Sequence, residues 1–329
     1  MQTEDDISSV DGIPVMTEAI GFSADEMVAC PNCAKQNPPN RLNCFYCGTA
    51  LGLPDDVAAG IQFRPAEIED WEPGVNVVSV SGIGHGAVES IGATLALEDE
   101  LLSSLASVEP PVPLVRVRAE DAEEVTARLS SSGFQSVQVR DESLHLDQTP
   151  ARLKEIIFDN DSVELVLFNS DEVARIDAAD VTLIVSGAIF KSSSESTLKK
   201  KRKETKHVDE RFDGSDHEVI DLYLANDRRG FRVFPHGFDF SCLGDRKSLL
   251  AVENIKTLKE LMRATFSNAV FDDSYLSKLT VLDHVWPRTV TNTSKGMQRV
   301  GWRLERSVGE SVSNEEQFTR YSRMRRELI

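Results

Sequence analysis

The 329-residue chain predicts an α+β protein with a small cysteine-rich module near its amino terminus, an acidic linker and a larger mixed α+β body. Three observations predict it. Four of the five cysteines crowd between positions 30 and 47. Charge is split along the chain: residues 1–110 hold 18 acidic and 3 basic side chains, a net of -15 out of -18 for the whole chain. Beyond residue 111, apolar stretches alternate between the two-residue period of strands and the 3.6-residue period of helices. The boundaries expected are a disordered acidic leader over 1–27, the cysteine module over 28–51 and a mostly flexible acidic linker over 52–110. An α+β domain follows over 111–287, and a tail over 288–329 ends in a short basic amphipathic helix.

Cys30, Cys33, Cys44 and Cys47 form C-x2-C-x10-C-x2-C. Each C-x-x-C brings two thiolates to one cation, and Zn²⁺ takes four such ligands tetrahedrally. Pro31-Asn32 and Phe45-Tyr46 fill the tight turns, and Gly48 follows the second pair where the backbone bends away. Four thiolates leave no coordination position for a substrate, so the spacing points to one structural zinc ion. Paired disulfides fit poorly with an acidic start that lacks a secretory leader. A redox C-x-x-C fits poorly too, since no β-α-β pattern surrounds either pair.

With Asn37 between the pairs, the stretch resembles the RanBP2-type zinc finger, a small zinc ribbon of two crossed hairpins, over residues 28–51 only. The resemblance implies zinc and a ribbon fold. The family's tryptophan two residues before the first cysteine is replaced by Val28. The aromatic that RNA-binding members stack on a base is Pro38 here, and the Thr-Phe of ubiquitin-binding members is Ala34-Lys35. A bacterial-style zinc ribbon ending in Cys-Gly-Thr-Ala-Leu fits equally well. The rest of the chain resembles no recognised family.

The chain is long enough for two domains. No apolar run reaches membrane-spanning length, and the fifth cysteine, Cys242, stands alone, so the expected location is a reducing cytoplasm with no membrane contact. The acidic first third repels phosphate backbones. Only Lys35 and Arg41 lie within the cysteine module, fewer cations than backbone tracking needs.

Within 52–110, Val75–Val80 has the composition of a strand. Gly82-Ile83-Gly84-His85-Gly86-Ala87 after it matches a loose dinucleotide loop, but Glu98-Asp99-Glu100 follow the next helix with no strand between, so a plain turn is expected. Leu114–Arg118 and Phe134–Val139 predict strands around a helix over Glu120–Ser131, which has acids in its first turn and Gly133 as its stop. Thr149-Pro150 predicts a helix opening there and running to Phe158. Strands are expected over Ser162–Phe168, Val181–Phe190, Val219–Leu224 and Gly230–Phe234, and helices over Lys247–Phe266 and Tyr275–Trp286. Residues 191–217 break the pattern, and Lys199–Lys206 predicts a solvated hairpin tip. From Arg288 the chain is irregular in composition until Ser313-x-x-Glu316, a capping box. It opens a helix bearing Phe318, Tyr321, Met324 and Leu328.

The residues with most chemical potential outside the cysteines are His217, Glu218, Asp221, His236, Asp239, Cys242 and Asp245. Glu218 and Asp221 lie three apart on a strand and so face opposite sides. Cys242 fits a small buried hydrophobe better than a nucleophile, and His236 beside Gly237 fits a turn. No hydrolase, nuclease or kinase signature assembles from them. The reading is therefore a zinc-binding protein that acts as a protein-interaction or regulatory module. The alternatives are an enzyme with a site near His236–Asp245, and nucleic-acid binding through Lys199–Lys206.

Overall fold

The computed structural model describes residues 8–10, 13–15, 27–38, 41, 43–49 and 51, and then 65–329 except 67, 70, 84–87, 89–90, 93, 132, 160–161, 171, 202–203 and 301–302. At 8–15, 197–212 and 295–307 the description is of the backbone alone. The chain divides into two units, Met1–Gln62 and Phe63–Ile329.

In the first unit, β1 (Ser8–Val10) pairs antiparallel with β2 (Ile13–Val15), inside the stretch expected to lack regular structure. β3 (Val28–Ala29) pairs antiparallel with β4 (Gln36–Asn37), so the first cysteine pair lies in the turn of a short hairpin.

The second unit holds two sheets. The smaller is built from β5 (Val75–Ser79), α1 (Asp99–Ser107), β6 (Val112–Val117), α2 (Ala119–Ser131) and β7 (Ser136–Arg140). Its order is β6-β5-β7, and β5 is antiparallel to both neighbours. The expected β-α-β unit is present, with β5 inserted between its strands. α2 carries Glu120 and Asp121 in its first turn, where the helix dipole favours anions. It buries Ala122, Val125 and Leu129 along one stripe.

β5 corrects the linker reading of 52–110. All five of its residues are buried. Val75 and Val77 join the core under α2, while Val78 joins the core on the far side. A strand covered on both faces reads as a near-continuous apolar run without alternation, which is why Val-Asn-Val-Val-Ser carries so weak a signal. Residues 84–87 of the glycine-rich loop lie outside the described residues.

The larger sheet has nine strands. They are β8 (Ala151–Phe158), β9 (Val163–Leu167), β10 (Val173–Ile176), β11 (Val181–Lys201), β12 (Glu204–Leu224), β13 (Phe231–Val233), β14 (Val270–Asp272), β15 (Thr289–Val300) and β16 (Arg303–Ser313). The order is β10-β9-β8-β13-β12-β11-β16-β15, with β14 parallel beside β11 at residues 183–185. α3 (Ala251–Thr265), α4 (Leu279–Val285) and α5 (Glu315–Glu327) pack on it. The chain is thus a mixed α/β protein with one large sheet.

Side-chain alternation explains why this sheet is covered on both faces. Ile184, Ile220, Leu222 and Val233 join Ile255, Leu258, Met262 and Phe266, three of them from α3, on one side. Leu183, Val185, Val219 and Tyr223 join Leu282 of α4 and Phe318, Tyr321 and Met324 of α5 on the other. Each fully buried side chain of this size stabilises the fold by about 1.5–3 kcal/mol. Gly187 marks the tightest approach, since a Cβ there would lie 2.5 Å from the Phe318 ring and 2.8 Å from that of Tyr275.

Three expectations from local pattern are overturned. Residues 151–158 form β8 and no helix follows Thr149-Pro150. Ala151, Leu153 and Ile156 are buried, and pairing to β9 and β13 on the two edges outweighs the local helix signal. Residues 191–201 and 204–217 extend β11 and β12, pairing as far as Lys201 with Glu204, with a register irregularity at Thr197/Leu198. Residues 289–313 form the hairpin β15–β16. Thr suits a pleated surface, and strands of polar sequence lack the apolar alternation that would announce them.

Candidate metal centre

Two turns of the same design carry the four cysteines. In the first, the Ala34 N–H donates to the Cys30 carbonyl at 2.9 Å, and the Cys30 N–H donates to Lys35 O at 3.0 Å. In the second, the Gly48 N–H donates to Cys44 O at 2.9 Å and the Cys44 N–H to Thr49 O at 2.8 Å. The fifth residue of each turn is left-handed, with φ of 58° at Ala34 and 72° at Gly48. Glycine suits that position, while alanine carries a steric cost there.

The turns point their sulfurs inward. The four Sγ atoms all lie within 4.8 Å of one another. Cys30 Sγ is 3.5 Å from Cys47 Sγ, and Cys33 Sγ is 3.6 Å from Cys44 Sγ. These four cysteines are positioned to bind one metal ion. Cys30 and Cys44 are buried and Cys47 is exposed. Thr49 pulls the Cys47 thiol down, while, against a lowering hydrogen bond from the Lys35 backbone, burial and the neighbouring thiols push Cys33 up, so these thiols titrate as one set.

Asn37 locks the turns to each other. Fully buried, it donates from Nδ2 to Lys35 O at 2.8 Å and to Cys44 Sγ at 3.5 Å. Its Oδ1 accepts the Phe45 N–H at 2.9 Å. The Tyr46 N–H adds a second donor to Cys44 Sγ at 3.4 Å. Donors of this kind spread the negative charge that four thiolates place around a dication. The rings of Phe45 and Tyr46, at the tip of the second turn, are exposed, with Arg41 over the first at 4.8 Å and Lys35 over the second at 4.3 Å.

Glu218, Asp221, Asp239 and Cys242 are engaged by the fold, while the side chains of His217, His236 and Asp245 are exposed. Glu218 pairs with Lys259 of α3 on one face of the sheet, and Asp221 pairs with Arg232 on the other, as strand alternation requires. Asp239 accepts from the Ser241 hydroxyl at 2.6 Å and its N–H at 2.9 Å. The Ser241 hydroxyl is the main reason its carboxyl lies below the ordinary range, with Lys247 at 3.3 Å adding to the effect. Burial pushes the Cys242 thiol up to about 11, the behaviour of a packed hydrophobe. The His236 carbonyl accepts from Arg152, and His217 lies opposite Ile189 in the β11–β12 ladder.

Sequence reasoning singled out Asp221 but missed its partner Arg232 and the buried Lys278 and Arg323 of the second unit. Asp221 and Arg232 are direct cross-strand partners, joined at 2.6 and 2.8 Å with both side chains almost wholly buried. The signal was there, an acid in Ile-Asp-Leu-Tyr and an arginine in Phe-Arg-Val, but register alone joins them. Lys278, 1% exposed, donates to Pro111 O at 3.0 Å, Ser274 Oγ at 2.9 Å and Tyr321 Oη at 3.1 Å. Burial pulls its ammonium down to about 8, against the opposing pull of Asp272. Arg323 of α5 donates to four carbonyls, those of Leu144, His145, Gln148 and Arg229.

No protein family, curated protein or solved structure that was compared matches the chain. No described helix is long and apolar enough to cross a membrane. Fold and site together define a mixed α/β protein with four cysteines near its amino terminus positioned to bind one metal ion.

Proposed function

We propose that the chain is a zinc-binding protein in which Cys30, Cys33, Cys44 and Cys47 hold one structural Zn²⁺ in a ribbon resembling the RanBP2-type finger. The second unit serves protein interaction or regulation. The convergence of four sulfurs within 4.8 Å of one another carries the metal reading. Thiolate sulfur selects zinc among abundant divalent ions, and a closed four-sulfur shell leaves nothing open for catalysis. A module this small has little core of its own: among its described residues the buried apolar ones are Cys30, Cys44 and Leu51. Metal binding would then supply its folding energy, about 10–16 kcal/mol in comparable modules. The free thiols suit a reducing cytoplasm. The interaction reading is supported by the structural engagement of Glu218, Asp221, Asp239 and Cys242, each of which already serves packing, an ion pair or a turn.

Elemental analysis of the purified chain tests the metal. One zinc per chain is expected, lost when Cys33 and Cys44 are both replaced by Ser. No zinc, or two per chain, would overturn the assignment.

A further inference from the structure

The sheet ends on one side at β15, which pairs with β16 along its length. Among the described residues no strand pairs its outer edge. Residues 289–293, Thr-Val-Thr-Asn-Thr, are all exposed and contain neither charge nor proline. Proteins usually protect such an edge, since unpaired N–H and C=O groups recruit other strands. Two other edges of the sheet are short or charged. β10, at the opposite end, is four residues long and carries Arg175 paired with Glu164. β12 bears Asp213, Asp216 and Glu218 where it runs beyond β13.

A second observation lies at the start of the same strand. Thr289 and Val290 border a cavity of about 410 Å³ whose lining includes Arg116, Arg288 and Arg320, with Glu316 its one carboxylate. Three guanidinium groups at one opening stand out in a chain of net charge -18. Arg116 is held by Asp141 at 2.8 Å, and both are largely buried. Arg288 pairs with Asp283 at 2.8 Å and Arg320 with Glu316 at 3.0 Å, through carboxylates 36% and 51% exposed. Arg320, itself 12% exposed, also lies 3.7 Å from the largely buried Asp141 carboxylate, whereas the Arg288–Asp283 pair is solvent-exposed on both sides. An incoming carboxylate therefore competes most readily for Arg288.

We propose that the outer edge of β15 takes up an extended acidic segment of another protein as an added strand, with one of its carboxylates seated among Arg116, Arg288 and Arg320. Strand addition draws affinity from main-chain hydrogen bonds and specificity from a side-chain pocket beside the edge, and both elements are present at residues 288–293. The proposal rests on the interaction reading of the second unit and names the partner's chemistry.

The test uses the full chain and a fluorescein-labelled ten-residue peptide of alternating Thr and Glu, read by fluorescence anisotropy. The acidic peptide should bind at least about tenfold more tightly than its Lys-for-Glu counterpart, or than the same peptide N-methylated at every second residue. Arg288→Glu and the double change Thr291→Glu with Thr293→Glu should each weaken binding by a similar factor, with the thermal midpoint retained. Equal binding of the N-methylated peptide would overturn strand addition. Concentration-dependent dimerisation abolished by the double change, without peptide binding, would assign the edge to a second copy and overturn the acidic partner. If no peptide binds while wild type and double variant capture the same proteins from a lysate, the edge assignment fails and the interaction reading stands. If neither peptide nor protein is captured, both fail.

Discussion

Asn37 and Lys278 show how much single buried polar side chains hold in place. Asn37 ties the backbone of both cysteine turns and touches one ligand sulfur. Asn37→Ala removes three hydrogen bonds and leaves the Phe45 N–H without its partner. Outer-shell partners of metal ligands typically contribute 10–100-fold in affinity, and a loss of about that size is expected in competition with a chromophoric zinc chelator. Lys278 predicts a pH dependence. Its ammonium titrates near 8 when folded, against 10.5 in an exposed lysine. Between these values the unfolded chain binds more protons, so stability from this group rises with pH across about 8 to 10.5. Below 8 the full penalty of burying the charge is present, and above 10.5 it is gone. Asp272, Arg325 and Glu109 set the local field, and the Tyr321 hydroxyl, pushed up chiefly by burial, stays protonated across the window. Lys278→Met should flatten the stability profile between pH 8 and 10 in urea titrations. An unchanged slope would show that other groups govern it.

At the scale of elements, α5 is the clearest case of a segment whose role differs from its composition. Its residues Arg320, Arg323, Arg325 and Arg326 invite an electrostatic role at the surface. Instead Phe318, Tyr321 and Met324 enter the core, Arg323 is buried on backbone carbonyls, and Arg325 pairs with Asp272. The expected capping box is replaced. Asn314 is the N-cap residue, but its side chain bonds Phe190 N at 2.6 Å, Ala188 O at 3.0 Å and Tyr275 Oη at 2.9 Å, joining the helix start to β11. Glu316 bonds Arg320 and Thr289. Because Phe318 fills the space over Gly187, Gly187→Ala forces overpacking and should cost about 1–3 kcal/mol in chemical denaturation. Phe318→Ala opens a cavity and should cost about 3–5 kcal/mol. Combining the two should cost less than their sum, because the smaller side chain relieves the clash. Strict additivity would show that Gly187 does not sense the ring.

At the scale of the whole molecule, the division at Gln62 separates a unit whose described residues include three buried apolar side chains from a unit with three large cores. If zinc folds the first, chelation should unfold it and leave the main calorimetric transition of the second almost unmoved. A large fall in that transition's midpoint would show that the two units depend on each other for stability.

The cysteine turns were legible residue by residue because a metal knuckle is local: ligand spacing, the left-handed fifth residues and the intervening asparagine all fall within 19 positions, Cys30 to Gly48. The helices α2 and α3 and the apolar stretches of β6, β9, β11 and β13 were legible for the same reason, since their periodicity states which face is buried. What tertiary structure decided is where long-range pairing outweighs local preference. β5 is buried because two strands flank it, their paired residues lying 33–42 and 57–65 positions away in sequence. Residues 151–158 are extended because β9 and β13 claim both edges. The Asp221–Arg232 pair and the contacts of Lys278 exist only once register and helix docking are set. A hydrogen-bonded ladder and a buried charge draw their stability from partners distant in sequence, and no local window contains both members of such a pair.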